Sequence, residues 1–451
     1  MNLAIVNPSR ALAEFVVDLS SRKIPESVRH EAKRSLINYF AVGLAGCRDK
    51  TINTAFDVYR MFAAEGPASV FGRKDRVDVL TAAAINAMGA NVFDFDDTHT
   101  PTIIHPTAPV AAALFSLSQA YPVNGVTFLT AFLAGVEVQC RLGNAISPYH
   151  YSRGWHITST CAVVGVAAAV GHVLGLGVQQ MLWAFGSAVN QSCGLVECLG
   201  TASKSTSVGN AARNGLLSAF LARQGFDGPA DPLSGLRGFI RVYGDGADPQ
   251  KLVEDLGSTW EINQNTYKPY PCGVVLNPVI DACIELSQNP EFRQRSLQDL
   301  KRIVLTGHPL LRQRTDRPNI RTGRESQVCA QHAVPIVLMQ GKAGLEEFSD
   351  EAVSDAEVRA LGALVSFEDD HAYSVDAATV RLEFSDSTVL RQHVDNAKGS
   401  VANPLSDADL EKKLHALCSF SRQECDAASL ARDVWSMDTL DDVSQLMRHV
   451  S

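Results

Sequence analysis

Residues 161–178, CAVVGVAAAVGHVLGLGV, limit what this chain can fold into more than any other stretch. The run approaches the length of a membrane span, yet it is built of Ala, Gly and Val rather than Leu and Ile, and it carries His172. Small side chains let neighbouring helix backbones approach closely. The run is therefore expected as a buried helix, in a core or at a subunit interface, and not in a membrane.

The rest of the first 225 residues reads the same way. Leu12, Phe15, Val16 and Leu19 follow Ser9 at helical spacing, and Val28, Ala32, Leu36, Ile37 and Phe40 form one stripe behind Pro25. Further helices are expected over 79–92, 108–120, 126–142, 158–174, 178–192 and 210–224, with Gly and Pro in the gaps. The character changes near residue 265. KRIVLT at 301–306 reads as a strand, and TVRLEF (379–384) and TVLRQHV (388–394) read as a hairpin turning at Ser385, Asp386 and Ser387. Helices are expected among these at 278–287 and at 325–340, interrupted by Pro335, and after them at 407–418, 427–436 and 439–449. The expected fold class is mainly α. A large all-helical domain takes residues 1–266 and 400–451, and a smaller α+β lid takes 267–399.

Composition narrows the function. With 46% apolar and 20% charged residues the chain can bury a large core. A net charge of −9 lacks the basic surplus of a nucleic-acid binder, while leaving room for a local cationic pocket. Ten cysteines without a C-x-x-C pair read as reduced thiols of a cytoplasmic protein, not as a disulfide framework or a zinc site. The first residues, MNLAIVNPSR, lack a basic segment followed by an apolar run, so no signal peptide is expected.

Four clusters carry candidate chemistry. FDFDDTH (93–99) with IIHPT (103–107) gathers three carboxylates and two imidazoles before an apolar helix. Packed carboxylates and histidines shift one another's pKa, which suits acid/base work. Metal binding is the weaker reading, because no ligand-spaced ladder is present. RGWHITST (153–160) puts His156 at a helix entrance, where the dipole favours its neutral form. GTASKSTSVGN (200–210) reads as a hydroxyl-rich loop with one lysine, able to grip a carboxylate at a helix N-terminus; it lacks P-loop spacing. YKPYPCG (267–273) is held extended by its prolines at the domain boundary, with Cys272 read as an inert thiol. Capping, loop hydrogen bonding and surface charge remain the plain alternatives for each.

Together, FDFDDTH with IIHPTAPV, GWHITST, GTASKSTSVGNAARNGLLSAFLARQGFDGP, YKPYPCG and NAKGSVANPLSDADLEKKL resemble, in order, the MmgE/PrpD family over about residues 10–450. That family includes 2-methylcitrate dehydratase, cis-aconitate decarboxylase and iminodisuccinate epimerase. The resemblance implies a homodimer, no organic cofactor, and a small polycarboxylate substrate. It places the catalytic aspartate on Asp94, with Asp96 or Asp97 as alternatives, the histidines on His105 and His156, and the lysines on Lys204 and Lys268. Asp97, His99, Ser203, Ser207 and Tyr267 are expected around the substrate. Three departures stand out: Ser207 occupies a position where the dehydratases and decarboxylases usually carry a histidine, His332 one where a tyrosine is expected, and Val274, Val275, Leu276 and Asn277 follow YKPYPCG where the family often shows a histidine. Dehydration needs an acid for the leaving hydroxyl, whereas epimerisation needs only a second acid/base group on the opposite face. With His156 and His332 as that pair, the expected activity is epimerisation next to a carboxylate. Dehydration and decarboxylation are the alternatives, and an inactive binding protein on the same fold is the alternative of another class.

Overall fold

A computed structural model describes residues 7–450; residues 1–6, on which much of the signal-peptide reading falls, lie outside the described residues. The chain is 57% helical and divides into two units. The first comprises residues 1–92, 96–265 and 407–451, the second residues 93–95 and 266–406. Against the expected 267–399, the second unit extends to 406 and takes in 93–95. Bonds within it account for the short piece: Gln327 Nε2 donates to the Phe93 carbonyl at 3.0 Å, and Lys268 holds Asp94.

The core of the first unit is formed by Val79–Asn91, Thr107–Ser118, Gly125–Ile146, Ile157–Val173 and Ala202–Arg223. The small-residue run is the centre of this core, with Cys161 through Val170 all buried. Its glycines explain the composition. A Cβ on Gly165 would lie 2.6 Å from the carbonyl oxygen of Gly135, one on Gly135 would lie 2.8 Å from that of Gly165, and one on Gly215 would lie 2.5 Å from that of Val163. Three helices thus meet backbone to backbone where side chains have no room. Each fully buried Val among them contributes about 1.5–3 kcal/mol. One helix, Gly125–Ile146, is long and apolar enough to cross a membrane, and 89% of its apolar window is buried inside the fold.

Two expectations need correction here. The helix expected from 210 begins at Ala202, so residues 203–207 are helical and not a loop. Their hydroxyls satisfy themselves within the helix: Ser207 Oγ donates to the Lys204 carbonyl at 2.9 Å. The helix expected at 439–449 is two 3₁₀ turns, Met437–Thr439 and Val443–His449, with the Asp442 side chain capping the second.

The second unit contains a four-stranded sheet in the order Val365–Asp369, Leu300–Gly307, Ala378–Phe384, Val389–Val394. The last three strands are antiparallel neighbours, and Val365–Asp369 runs parallel to Leu300–Gly307. Helices Asn277–Gln288 and Ala330–Gln340 supply the apolar partners of this sheet, through Val279, Ile280, Cys283, Ala333 and Val337. Ala330–Gln340 continues through Pro335, and Gly323–Ser326 forms a separate turn of helix before it.

Candidate active site

The segment between Val79–Asn91 and Thr107–Ser118 is pinned from below. His99 is fully buried, with Nδ1 2.7 Å from Thr102 Oγ1 and Nε2 3.1 Å from Glu261 Oε2. Glu261 also accepts from Asn144 Nδ2 at 2.9 Å, and its backbone N–H donates to Glu137 Oε2 at 3.0 Å. Glu137 in turn pairs with the buried Arg141 at 2.8 Å. Both ring nitrogens of His99 are thus engaged inside the protein. It anchors the loop through both nitrogens, and its expected substrate-binding role is not what these bonds provide. Its backbone N–H donates to the Ile104 carbonyl at 2.8 Å and so fixes the turn that presents His105.

Asp97 is internal as well. It is fully buried, and its Oδ2 accepts from Thr107 Oγ1 at 2.5 Å and Asn265 Nδ2 at 2.6 Å. Burial, reinforced by the neighbouring Asp96, pushes its carboxyl up to about 7. Asp96 Oδ2 accepts from Asn91 at 2.6 Å, and Asp96 Oδ1 lies 3.4 Å from His105 Nδ1.

Both candidate histidines have their tautomer set by their partners. His105 Nδ1 lies 2.7 Å from the Asp97 carbonyl, which can only accept, so Nδ1 carries the proton and Nε2 is the basic nitrogen of the neutral ring. The same holds for His156. Its Nδ1 is 3.0 Å from Ser159 Oγ and 3.4 Å from Ser207 Oγ. With Ser159 donating to the His156 carbonyl at 3.1 Å and Ser207 to the Lys204 carbonyl, as their geometry allows, both hydroxyls accept from Nδ1. His156 is also the residue before the first turn of Ile157–Val173, where the dipole disfavours a charged imidazole. Thr158 joins the two histidines, its Oγ1 accepting from the His105 backbone N–H at 3.1 Å.

Sequence reasoning missed Gly194. Its φ of +128° and its crowding demand glycine: a Cβ there would lie 2.1 Å from Ser159 Oγ and 3.3 Å from the His156 Cβ. Its carbonyl accepts from the His156 backbone N–H at 3.1 Å. No recognisable pattern surrounds it in NQSCG. Thr98, whose Oγ1 is 3.4 Å from His105 Nδ1, was also passed over. On Ala202–Arg223, Lys204 is buried one turn before Ser207, whereas Ser203 is exposed. A cleft of about 450 Å³ in this unit is lined by Arg141, Asn144, Lys251, Glu254 and Glu261. None of the expected site residues lines it.

In the second unit, Lys268 Nζ donates to Asp94 Oδ2 at 2.6 Å and to the Asp94 carbonyl at 2.7 Å. Asp94 has φ +53°, a conformation that costs a non-glycine residue about 1 kcal/mol or more. The two charge-assisted bonds from Lys268 offset that cost. Tyr267 is buried, and its carbonyl leaves no room for a side chain on Gly399. Burial pushes the Cys272 thiol up to about 12 although Lys268 opposes it, so the thiol is inert. His332 is buried against Phe348 and donates from Nε2 to the Glu347 carbonyl at 2.7 Å. Burial lowers its pKa. The ring ties Ala330–Gln340 to the following turn. This bond occupies Nε2 alone, so the expected catalytic role of His332 stays an expectation.

The ionisable groups of these segments are thus positioned by buried hydrogen bonds. The chain is a member of the MmgE/PrpD family: the MmgE/PrpD N-terminal domain matches residues 10–252 and the C-terminal domain matches residues 270–437. It is 26% identical to the cis-aconitate decarboxylase of Mus musculus, over 98% of this chain and 92% of the relative. It is 27% identical to the cis-aconitate decarboxylase-like protein oryM of Aspergillus oryzae, over 99% of this chain and 97% of that protein. The human cis-aconitate decarboxylase is 26% identical over 97% of this chain and 93% of its own length.

Proposed function

We propose that this chain is a cofactor-independent lyase that decarboxylates a small unsaturated tricarboxylate of the cis-aconitate type. The supporting observation is the pair of histidines whose Nδ1 protons are committed to fixed acceptors. Each ring then exchanges protons through Nε2 alone, without losing its orientation. In the reaction proposed, a protonated imidazole delivers its Nε2 proton to carbon. The C–C bond to one carboxylate breaks, its electrons fill the position vacated as the double bond shifts, and carbon dioxide leaves. Lys204, on the same unit as the two histidines, carries the positive charge that such an anionic transition state needs. The near full-length likeness to decarboxylases supports this choice over epimerisation.

Epimerisation is the second reading. Ser207 favours it, because it stands beside His156 where the decarboxylases usually carry another histidine. The test is incubation with cis-aconitate, 2-methylcitrate and an aminodicarboxylate in deuterium oxide, followed by NMR and carbon dioxide detection. Carbon dioxide with deuterium in the product supports the proposal. Deuterium exchange without net turnover assigns an epimerase, loss of water a dehydratase, and no reaction with any compound a binding protein. The sequence carries no ligand-spaced ladder of His, Cys or Asp, so full activity after exhaustive chelation is expected of a metal-independent enzyme, and activity restored only by one cation would overturn that part.

A further inference from the structure

The ten cysteines are all free thiols, and two of them lie together. Cys418 is buried near the end of helix Asp407–Ser421, and Cys425 is half-buried before helix Ala427–Trp435. Cys418 Sγ donates to Cys425 Sγ at 3.5 Å. The chain turns back between them at Arg422, whose φ is +54°, with the Ser421 hydroxyl accepting from the Gln423 N–H at 3.2 Å. From these positions we infer that Cys418 and Cys425 form a reversible oxidation site that closes to a disulfide on reaction with a peroxide.

The division of labour follows from the geometry. The more accessible Cys425 attacks first, and the buried Cys418 resolves. The thiolate of Cys425 attacks one peroxide oxygen; an S–O bond forms, the O–O bond breaks, and water or an alcohol leaves with the proton. The Cys418 sulfur then attacks the sulfenic sulfur; the S–S bond forms, the S–O bond breaks, and water leaves. The two sulfurs together lose two electrons, which reduce the peroxide. The hydrogen bond from Cys418 also holds the Cys425 thiol below its ordinary pKa. Cys193 is the built-in comparison: it is more exposed, but desolvation raises its thiol pKa.

The experiment treats the full reduced chain with one equivalent of hydrogen peroxide, alkylates the remaining thiols, and digests with trypsin without reductant. Cleavage after Arg422 separates the two cysteines, so a disulfide appears as peptides 414–422 and 423–432 joined together. The expected result is this joined species, released by dithiothreitol, while Cys193 stays alkylated. In Cys418→Ser the reaction is expected to stop at a Cys425 sulfenic acid that dimedone traps. Alkylation of both Cys418 and Cys425 after peroxide, oxidation of Cys193 in preference to them, or absence of dimedone labelling in folded Cys418→Ser would each overturn the inference.

Discussion

At the scale of single residues, the site depends on which polar groups are spent internally and which are left to act. Asp97 is spent, and its carboxyl gives a pH signature. Its pKa rises from an ordinary 3.8 to about 7 on folding, so the folded state holds this proton more tightly than the unfolded chain. The stability tied to Asp97 is full below the ordinary carboxylate range and is lost as pH rises to about 7. Asp97→Asn keeps the shape while removing the titration. Its melting temperature should fall less than that of the wild type between pH 5 and pH 8; an unchanged pH dependence would show that Asp97 does not titrate in this window. Lys204 is the lysine proposed to stabilise the transition state. Lys204→Met keeps the apolar stem, and kcat should fall by about 10²-fold if the charge stabilises the transition state. A change confined to KM would assign the charge to ground-state binding instead. The strings around His105, His156, Lys204 and Lys268 could be read in the sequence because each is local. The anchoring of His99 could not, since its partner Glu261 lies 162 residues away. The same holds for His332, whose ring is fixed by a backbone carbonyl and not by any side chain that a motif records.

At the scale of elements, close helix contact was visible in the composition of residues 161–178, and its partners emerged only in three dimensions. Gly135, Gly165 and Gly215 come from three helices, and no spacing along the chain links them. Gly165→Val should force the first two apart and cost about 3 kcal/mol or more, read as a lower midpoint in urea. A wild-type midpoint would contradict the close approach. Sequence periodicity failed at Ser203–Ser207 because hydroxyl side chains favour loops and caps, yet here they bond back along the helix. It failed again at Val365–Asp369, a half-exposed edge strand too short and polar to announce itself.

At the scale of the whole molecule, an acidic chain must concentrate cations locally to hold a polycarboxylate. Lys204 in the first unit is buried to within 8% of full exclusion, and Lys268 in the second, buried to within 6%, is paired with Asp94. The small-residue run proved to be core, so it is not available as a subunit interface. The homodimer expectation therefore rests on family resemblance alone. Sedimentation should give a species of twice 48.6 kDa at micromolar concentration, and a species at 48.6 kDa only would rule the dimer out. The central claim is that His105 and His156 move protons through Nε2 during decarboxylation. The most direct measurement is carbon dioxide release from cis-aconitate by His105→Gln and His156→Gln beside the wild type, with folding verified by circular dichroism. Glutamine keeps a hydrogen-bonding amide but cannot deliver a proton near neutral pH. At least one variant should lose about 10²-fold or more in kcat; near-wild-type turnover in both would contradict the account.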